Sequence, residues 1–155
     1  MDPGRAQGLA EEDRRQDPVK RVFVDANLLF SAAHSPLGRA AIFVEEARLQ
    51  GFHCLTSEYA VGETRRNLGL KSSKSLPAFE KILKLLHIEK MGHFSHVCEI
   101  KLRDKDQPIY LAALECKADI LLTGDYKDFG PYMNAPKKTQ GLRICTVADL
   151  QNERR

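Results

Sequence analysis

The stretch Arg21-Val22-Phe23-Val24-Asp25-Ala26-Asn27 decides the fold of this chain. Its apolar run is short and bounded by polar residues, which is typical of a strand buried on both faces of a parallel sheet. A second buried run, 119–123, ends at Gly124-Asp125. An aspartate therefore follows each run. Because the carboxyl ends of parallel strands meet at one edge of a sheet, we expect Asp25 and Asp125 at that edge, where ligands bind.

Outward from these two runs, helical and strand patterns alternate. The apolar spacing predicts helices over 27–33, 39–50, 57–67, 77–86 and 107–116, a closing turn over 147–152, and further strands over 52–55, 86–89 and 143–146. The basic segment 71–75 is expected to be a flexible loop, and 93–102 fits neither pattern. The alternation predicts an α/β fold, a three-layer α/β/α sandwich with a mainly parallel sheet.

The length of 155 residues fits a single domain. Residues 1–19 carry five acids against three arginines, a balance of −2, and lack hydrophobic periodicity, so we expect a disordered tail there. The predicted domain covers 20–151, and 152–155 are expected to be a short C-terminal tail. Subtracting −2 from the net charge of +3 leaves about +5 for the rest, which is compatible with a polyanionic partner.

Membrane and secreted classes are not expected. No apolar run approaches the length of about eighteen residues that a membrane span needs, and the N-terminus has no apolar signal core. The four cysteines form no C-x-x-C pair, which argues against a zinc ribbon, and three lie in apolar segments. We therefore expect a cytoplasmic protein.

Two further acids have positions that bring them toward the same edge. Asp106 precedes a helix that leads into the 119–123 strand, so the start of that helix lies at the carboxyl edge. Asp104 remains an alternative to Asp106, although the following Pro108 favours Asp106. Glu63 lies about two turns inside its helix, and its placement is the least determined.

Each acid has an ordinary structural explanation when it is taken alone. Asp25 and Asp106 can cap helices, Asp125 suits a turn, and Glu63 can pair with Arg66 on a solvated helix face. Together they are harder to explain, since two carboxylates 4 Å apart repel by about 4 kcal/mol at an effective dielectric of 20. A hard divalent cation removes this cost and prefers oxygen ligands, so we expect Mg²⁺ or Mn²⁺.

The motifs resemble those of PIN domains. Phe23-Val24-Asp25-Ala26-Asn27-Leu28-Leu29 looks like the family's opening D-x-N-x-L element, and the block from Lys105-Asp106-Gln107-Pro108-Ile109 to Leu122-Thr123-Gly124-Asp125 resembles its third and fourth acidic motifs. Residues 57–68 resemble the helix that carries the second acid. The segments 128–131 and 141–144 are similar to the tail of bacterial PIN proteins grouped with VapC-like toxins.

The resemblance implies a PIN-like fold and an endoribonuclease that leaves 5′-phosphate and 3′-hydroxyl ends. It implies that Asn27 orients the first acid, that Thr123 supports the fourth, and that Asp128 is an accessory acid. It also implies an RNA substrate, a possible role as the toxin of a toxin–antitoxin pair with an antitoxin partner, and a homodimer. The implied catalytic and metal-binding residues are Asp25, Glu63, Asp106 and Asp125.

Other polar residues give weaker signals. Lys71 and Lys74 belong to a basic segment that can contact phosphates, although a solvated face is the commoner explanation of such a segment. His93 and His96 suggest a soft-metal pair, but no cysteine arrangement supports one.

Two alternative functions remain open at the level of sequence. The first is a catalytically inactive PIN-fold module that binds RNA or a protein, and the presence of all four acids favours the enzyme over it. The second is a phosphotransfer or phosphatase domain with Asp25 as nucleophile, which the spacing to Asp106 does not support.

Overall fold

The computed structural model describes residues 19–153. The tail predicted at 1–19 lies outside the described residues, apart from Val19, as do residues 154–155. Five strands form a single sheet in the order β3-β2-β1-β4-β5. They are β1 Lys20–Val24, β2 Phe52–Ser57, β3 His87–Glu89, β4 Ile120–Leu122 and β5 Arg143–Cys145. All four pairings between them are parallel, which confirms the predicted parallel sheet.

Seven α-helices connect or flank these strands in the described part of the chain. They are α1 Ala26–His34, α2 Arg39–Glu46, α3 Glu58–Lys71, α4 Leu76–Leu83, α5 Gln107–Glu115, α6 Tyr126–Phe129 and α7 Val147–Glu153. Short 3₁₀ turns follow at Ala47–Gln50, Ser73–Ser75, Gly130–Tyr132 and Pro136–Lys138. None of the helices within 19–153 is long and apolar enough to cross a membrane.

The strand order reverses direction beside β1, and this reversal places the site. The chain runs from β1 to β2 and β3, then returns to β4 on the other side of β1. Because parallel crossovers are right-handed, the reversal puts the connecting helices on opposite faces. In agreement, α1 contacts α2, α3 and α4, whereas α5 packs on β2 and β4. The result is the predicted three-layer sandwich, with its crevice between the ends of β1 and β4.

Apolar side chains explain why these segments form a sheet covered by helices. The apolar side chains of β1 and β4 are almost completely buried. Val22, Phe23 and Val24 are at most 1% exposed, and the three residues of β4 are at most 2% exposed. Strands this buried are apolar on both faces, which is why they appear as continuous runs in the sequence. Each such aliphatic or aromatic side chain contributes about 1.5–3 kcal/mol on burial.

Helix α3 is longer than predicted. The predicted end lies near Asn67, before Gly69, but the helix continues to Lys71, past the exposed Gly69 that follows the fully buried Leu68. The prediction of a flexible loop over 71–75 was wrong. Ser72 donates its N–H to the carbonyl of Leu68 at 2.8 Å, and the Ser72 and Ser75 hydroxyls bond at 2.8 Å within a 3₁₀ turn.

Smaller differences occur at other ends. The helix predicted over 39–50 divides into α2 and a 3₁₀ turn, which Gly51 ends with the positive φ of 81° that was expected of a capping glycine. The helix predicted over 77–86 stops at Leu83. The last helix reaches Glu153, two residues past the predicted domain boundary at 151. The short helix α6 carries no apolar periodicity of its own and was not predicted.

The segment between β3 and α5, residues 90–106, contains no helix or strand. It is tied to α5 through Glu115, whose carboxylate accepts hydrogen bonds from the Ser95 hydroxyl at 2.7 Å and from the backbone N–H and ring Nδ1 of His96 at 2.8 and 2.9 Å. Farther along, the N–H of Lys101 donates to the Tyr132 hydroxyl at 3.0 Å. The segment then ends at the start of α5, at the edge of the sheet where β1 and β4 end.

Candidate active site

One cleft of about 330 Å³ lies beyond the carboxyl ends of β1 and β4. All four acids that the sequence predicted for the site line this cleft, although they come from four different parts of the chain. The residues lining the cleft are Asp25, Ala26, Asn27, Phe30, Ser31, Glu63, Asn67, Lys71, Lys105, Asp106 and Asp125. The structure thus brings Asp25, Glu63, Asp106 and Asp125 to one place.

Asp25 is held rigidly at the end of β1. It is 4% exposed, and it caps α1 by accepting a 2.6 Å hydrogen bond at Oδ1 from the N–H of Ala26. Its other oxygen accepts bonds from the Thr123 hydroxyl at 2.7 Å and from the Asn27 amide at 3.2 Å. Asp25 is therefore a helix cap, as one explanation of its position predicted, but the capping bond uses only one of its two carboxylate oxygens.

Asn27 and Thr123 link the ends of the two strands. The Asn27 amide also donates to Thr123 Oγ1 at 3.2 Å, and its Oδ1 accepts from the N–H of Gly124 at 3.1 Å. Thr123 Oγ1 in turn accepts from the N–H of Asp125 at 3.0 Å. Thr123 therefore bonds the side chain of the first acid and only the backbone of the fourth.

Asp106 has one carboxylate oxygen without a hydrogen-bond partner. Its Oδ2 is buried and makes no hydrogen bond within the described part of the chain. Asp106 stands at the N-cap position of α5, but its side chain makes no capping bond, so the structural explanation that applies to Asp25 fails here. Buried polar atoms are almost always paired, which makes this oxygen the most unusual feature of the cleft.

Asp125 and Asp128 approach Asp106 closely. One carboxylate oxygen from each of the three lies within 4.8 Å of the others. Asp125 caps α6 by accepting from the N–H groups of Lys127 at 3.0 Å and Asp128 at 3.1 Å, which accounts for its turn-like position in the sequence. The cap leads directly to Asp128, the accessory acid that the resemblance implied, and brings it into the cluster.

Arg103 contacts the same cluster and was not identified from the sequence. Its Nε donates to both oxygens of Asp128, at 3.0 and 2.9 Å, and its Nη2 also bonds Oδ2. Arg103 Nε lies 3.8 Å from Asp106 Oδ2, beyond hydrogen-bond distance. Residues 90–106 contain no periodic pattern that could have indicated this contact.

Glu63 reaches the cleft from the middle of α3. Asn67 and Lys71 follow it at i+4 and i+8 and line the same cleft, so one face of the helix supplies three polar groups. This spacing was available in the sequence and could have indicated Asn67. Among residues 19–153, no ion pair joins Glu63 to Arg66, which was the structural explanation considered for this acid.

Two other sequence expectations are answered by position. Asp104 is exposed and does not line the cleft, whereas Asp106 is buried and does. Lys71 lines the cleft, while Lys74 lies outside its lining on the following 3₁₀ turn. Lys105, which the sequence did not single out, lines it as well.

Burial and mutual repulsion disturb the titration of these acids. Burial raises the pKa of Asp25 to about 6, and the charges of Glu63 and Asp125 add to this against the hydrogen bonds from Thr123 and Ala26. Burial, and then the carboxyl of Asp128, raise the pKa of Asp106 to about 7. The Arg103 guanidinium lowers the pKa of Asp128 to about 2. Two acids thus resist ionisation unless a cation compensates them.

The donor set fits a hard divalent cation. It consists of carboxylate oxygens, with no histidine or cysteine lining the cleft, and such oxygens are the preferred ligands of Mg²⁺ and Mn²⁺. The unpartnered Oδ2 of Asp106 is an oxygen that a cation would satisfy. The acids that the cluster offers beyond Asp25 and Glu63 are Asp106, Asp125 and Asp128.

The fold and the site together define a class of protein: a parallel α/β sandwich with a cluster of carboxylates at the point where the strand order reverses, between β1 and β4. Within that class, a family model described as "PIN domain" matches residues 21–127. The chain therefore belongs to the PIN-domain family, as its motifs predicted.

Comparison with solved structures agrees on the fold. A chain of the VapBC2 complex from Rickettsia felis, crystallised with a DNA fragment from its promoter, superposes with a TM-score of 0.59 at 15% identity, covering 81% of this chain and 98% of that one. A domain of a functionally unknown protein from Methanocaldococcus jannaschii gives 0.51 at 21% identity, covering 81% and 89%. A search of curated proteins found no match.

Proposed function

We propose that this protein is a metal-dependent endoribonuclease, which hydrolyses RNA phosphodiester bonds with the help of Mg²⁺ or Mn²⁺. The observation that carries the proposal is the buried, unpartnered Oδ2 of Asp106 within a cluster of acids. A protein that used these acids only as caps and turn residues would leave no such oxygen, because an unpaired buried group costs about 1–3 kcal/mol or more.

The chain's own residues divide the work in this proposal. Asp25, Glu63, Asp106 and Asp125 hold the cation, with Asp128 as an accessory ligand, and Asn27 and Thr123 keep Asp25 in place through the bonds described above. A bound divalent ion supplies a water of lowered pKa and a counter-charge for the leaving oxygen. The acids orient that ion, and the narrow cleft limits which phosphodiester can approach them.

Basic and amide groups of the cleft suit an RNA backbone. Lys71 and Lys105 both line the cleft, and Asn67 adds a hydrogen-bonding amide. Cationic side chains contact phosphates and supply most of the salt-dependent affinity for nucleic acids. We propose a phosphate contact for Lys71, and a weaker one for Lys74, which lies outside the cleft lining on the following 3₁₀ turn.

An antitoxin partner and a homodimer also remain proposals. The Rickettsia felis structure with the similar fold is a VapBC2 complex bound to promoter DNA, which supports a toxin–antitoxin setting for this chain. A gene for a small DNA-binding protein directly upstream would support it further. The four cysteines are free, three of them buried, which agrees with a reducing cytoplasm.

Cleavage of end-labelled RNA in Mn²⁺ tests the proposal. The wild type should cut, and Asp106→Asn should lower the rate at least about 100-fold, because the remaining acids no longer balance the cation. Asp104→Asn, two residues away and outside the cleft, is the matched control and should retain the wild-type rate. The products should carry 5′-phosphates, and a 2′-deoxynucleotide at the cleavage site should still be cut, since the attacking oxygen comes from water.

One result would contradict the enzyme, and two would contradict the role of Asp106 in it. Binding of RNA without cleavage in both Mn²⁺ and Mg²⁺ would establish the non-catalytic RNA-binding module instead. Cleavage that survives Asp106→Asn would locate the chemistry elsewhere. Loss of cleavage in Asp104→Asn, with cleavage retained in Asp106→Asn, would assign the catalytic role to Asp104 instead of Asp106.

A further inference from the structure

Arg103 is the one arginine whose guanidinium is bonded within the acid cluster of the described residues. It binds Asp128 through both carboxylate oxygens, yet its own side chain is 49% exposed while that of Asp128 is only 10% exposed. The guanidinium thus covers the acid from the solvent side. A bidentate pair of this kind is among the stronger interactions of an arginine, and here it uses both oxygens of an acid that lies within 4.8 Å of Asp106 and Asp125.

A divalent cation and this guanidinium compete for the same place. A cation drawn to the three acids would meet Asp128 with both oxygens already accepting hydrogen bonds from Arg103, and the positive charge of Arg103 would oppose its approach. The unpartnered oxygen of Asp106 lies 3.8 Å from Arg103 Nε, so the arginine borders the oxygen that most needs a cation without bonding it. Arg103 compensates the cluster only in part.

The side chain of Arg103 can move without its backbone. It stands in the segment 90–106, which contains no helix or strand, and its side chain is 49% exposed. The backbone beside it is held, because the Arg103 carbonyl accepts from the N–H groups of Asp106 and Gln107 at 2.9 and 3.2 Å, and the Lys105 carbonyl accepts from the Tyr59 hydroxyl at 3.0 Å. Release of Asp128 therefore needs a change of the Arg103 rotamer and no movement of a secondary-structure element.

We propose that Arg103 holds Asp128 while no metal is bound, and gives it up on metal binding to hold the phosphate of the RNA at the cleavage site. This inference rests on the proposed ribonuclease function. Arg103 would then be both a built-in counter-ion of the metal-free cluster and a substrate-binding residue of the loaded one. The planar guanidinium fork matches two phosphate oxygens as well as it matches a carboxylate.

The first test measures Mn²⁺ binding by calorimetry, without RNA. Arg103→Gln removes the competing charge and should tighten the dissociation constant for Mn²⁺ roughly 3- to 10-fold, the range expected from loss of one charged competitor. Arg103→Lys, which keeps the charge but not the fork, should fall between this variant and the wild type.

Two controls separate a specific effect from a general one. Arg65→Gln removes an arginine of equal exposure, 49%, that pairs with Glu80 away from the cleft, and it should bind Mn²⁺ as the wild type does. Lys105→Gln removes a positive charge from the cleft without breaking a bond to an acid, and it should tighten binding less than Arg103→Gln. Equal tightening by Lys105→Gln, or unchanged or weaker binding by Arg103→Gln, would overturn the competition.

The second test measures RNA cleavage at saturating Mn²⁺. Arg103→Gln should lower kcat/KM roughly 10- to 100-fold in spite of its tighter metal binding, since a charge-assisted contact to phosphate is lost. Opposite changes in metal affinity and in cleavage are not expected of an arginine that merely stabilises the fold. Wild-type kcat/KM in this variant would overturn the substrate role.

The two failures can be told apart. If the wild type does not cleave RNA, the proposed function fails, and with it the substrate role of Arg103. If the wild type cleaves, and Arg103→Gln matches it in both Mn²⁺ affinity and kcat/KM, the inference about Arg103 fails while the ribonuclease stands.

Discussion

The two halves of the acid cleft are built differently. The Asp25 half grows directly out of the sheet, and its carboxylate oxygens accept bonds from Ala26, Asn27 and Thr123. The Asp106 half is assembled from the entry to α5 and from α6, and it contains a buried oxygen without a partner, beside an arginine bonded to the neighbouring acid. One half thus has its carboxylate oxygens bonded within the protein, whereas the other leaves a buried oxygen that the proposed cation would bind.

This difference shows which of the two buried acids is the more costly to ionise. Hydrogen bonds from backbone and side chains offset much of the cost of burying Asp25, although its pKa still rises to about 6. Asp106, which has no such bonds, reaches about 7. The PIN-domain site is consequently rigid at the ends of the strands and under electrostatic strain at the start of α5.

The largest expected effect is a fall of stability with rising pH in the metal-free protein. Asp25 and Asp106 have pKa values of about 6 and 7 in the fold against an ordinary value of 3.8, so the folded chain keeps protons that the unfolded chain has released. Stability should therefore decrease between pH 5 and pH 8, by about 4 kcal/mol, and level off above. Urea unfolding in EDTA across this range measures it, and a flat or rising profile would contradict the repulsion.

Mn²⁺ should reverse most of that loss. At 100 times its dissociation constant, a ligand of the native state adds about 2.7 kcal/mol to the free energy of unfolding. We expect this gain at pH 8 in the wild type and in Asp104→Asn, and a much smaller one in Asp106→Asn. Equal melting shifts in all three proteins would mean that Asp106 does not belong to the metal site.

The sheet-organised half should weaken when its hydroxyl is removed. Thr123→Val deletes the donor to Asp25 Oδ2 and the acceptor for the N–H of Asp125, and should cost about 2 kcal/mol, since bonds to charged groups are the stronger ones. Thr56→Val is the matched control. That hydroxyl is equally buried but donates to the carbonyl of Val24, so its loss should cost only about 1 kcal/mol.

The smallest expected effect has the opposite sign. Asp106→Asn removes a buried charge that Arg103 and Lys105 compensate only in part, and its amide can donate to Asp128, so the metal-free variant should gain about 1–1.5 kcal/mol at pH 8. A domain of this size would then melt about 2–6 °C higher. The gain should vanish below about pH 3, where Asp106 is protonated in both states. Destabilisation at pH 8 would show that Asp106 is a structural residue.

Much of the fold was predictable because burial leaves a local record. The apolar runs before Asp25 and Asp125, and the stripe from Ala40 to Ala47, correspond to β1, β4 and the region of α2, since each depends on neighbours two to four positions away. The end of α3 was not predictable, because Leu68 holds the helix past Gly69 through contacts with distant residues. Helix α6 was missed because the side chain of Asp125, rather than an apolar face, begins it.

The strands that end in aspartates, the α/β class and the family motifs can all be recognised in the sequence, because they depend on short-range spacing. The neighbouring positions of β1 and β4, the place of Glu63 in the cleft and the bond from Arg103 to Asp128 become visible only in the folded chain. The difference lies in the range of the interactions. A carboxylate's partner, or its lack of one, depends on side chains up to a hundred positions away, and no local pattern records how closely the folded chain brings them together.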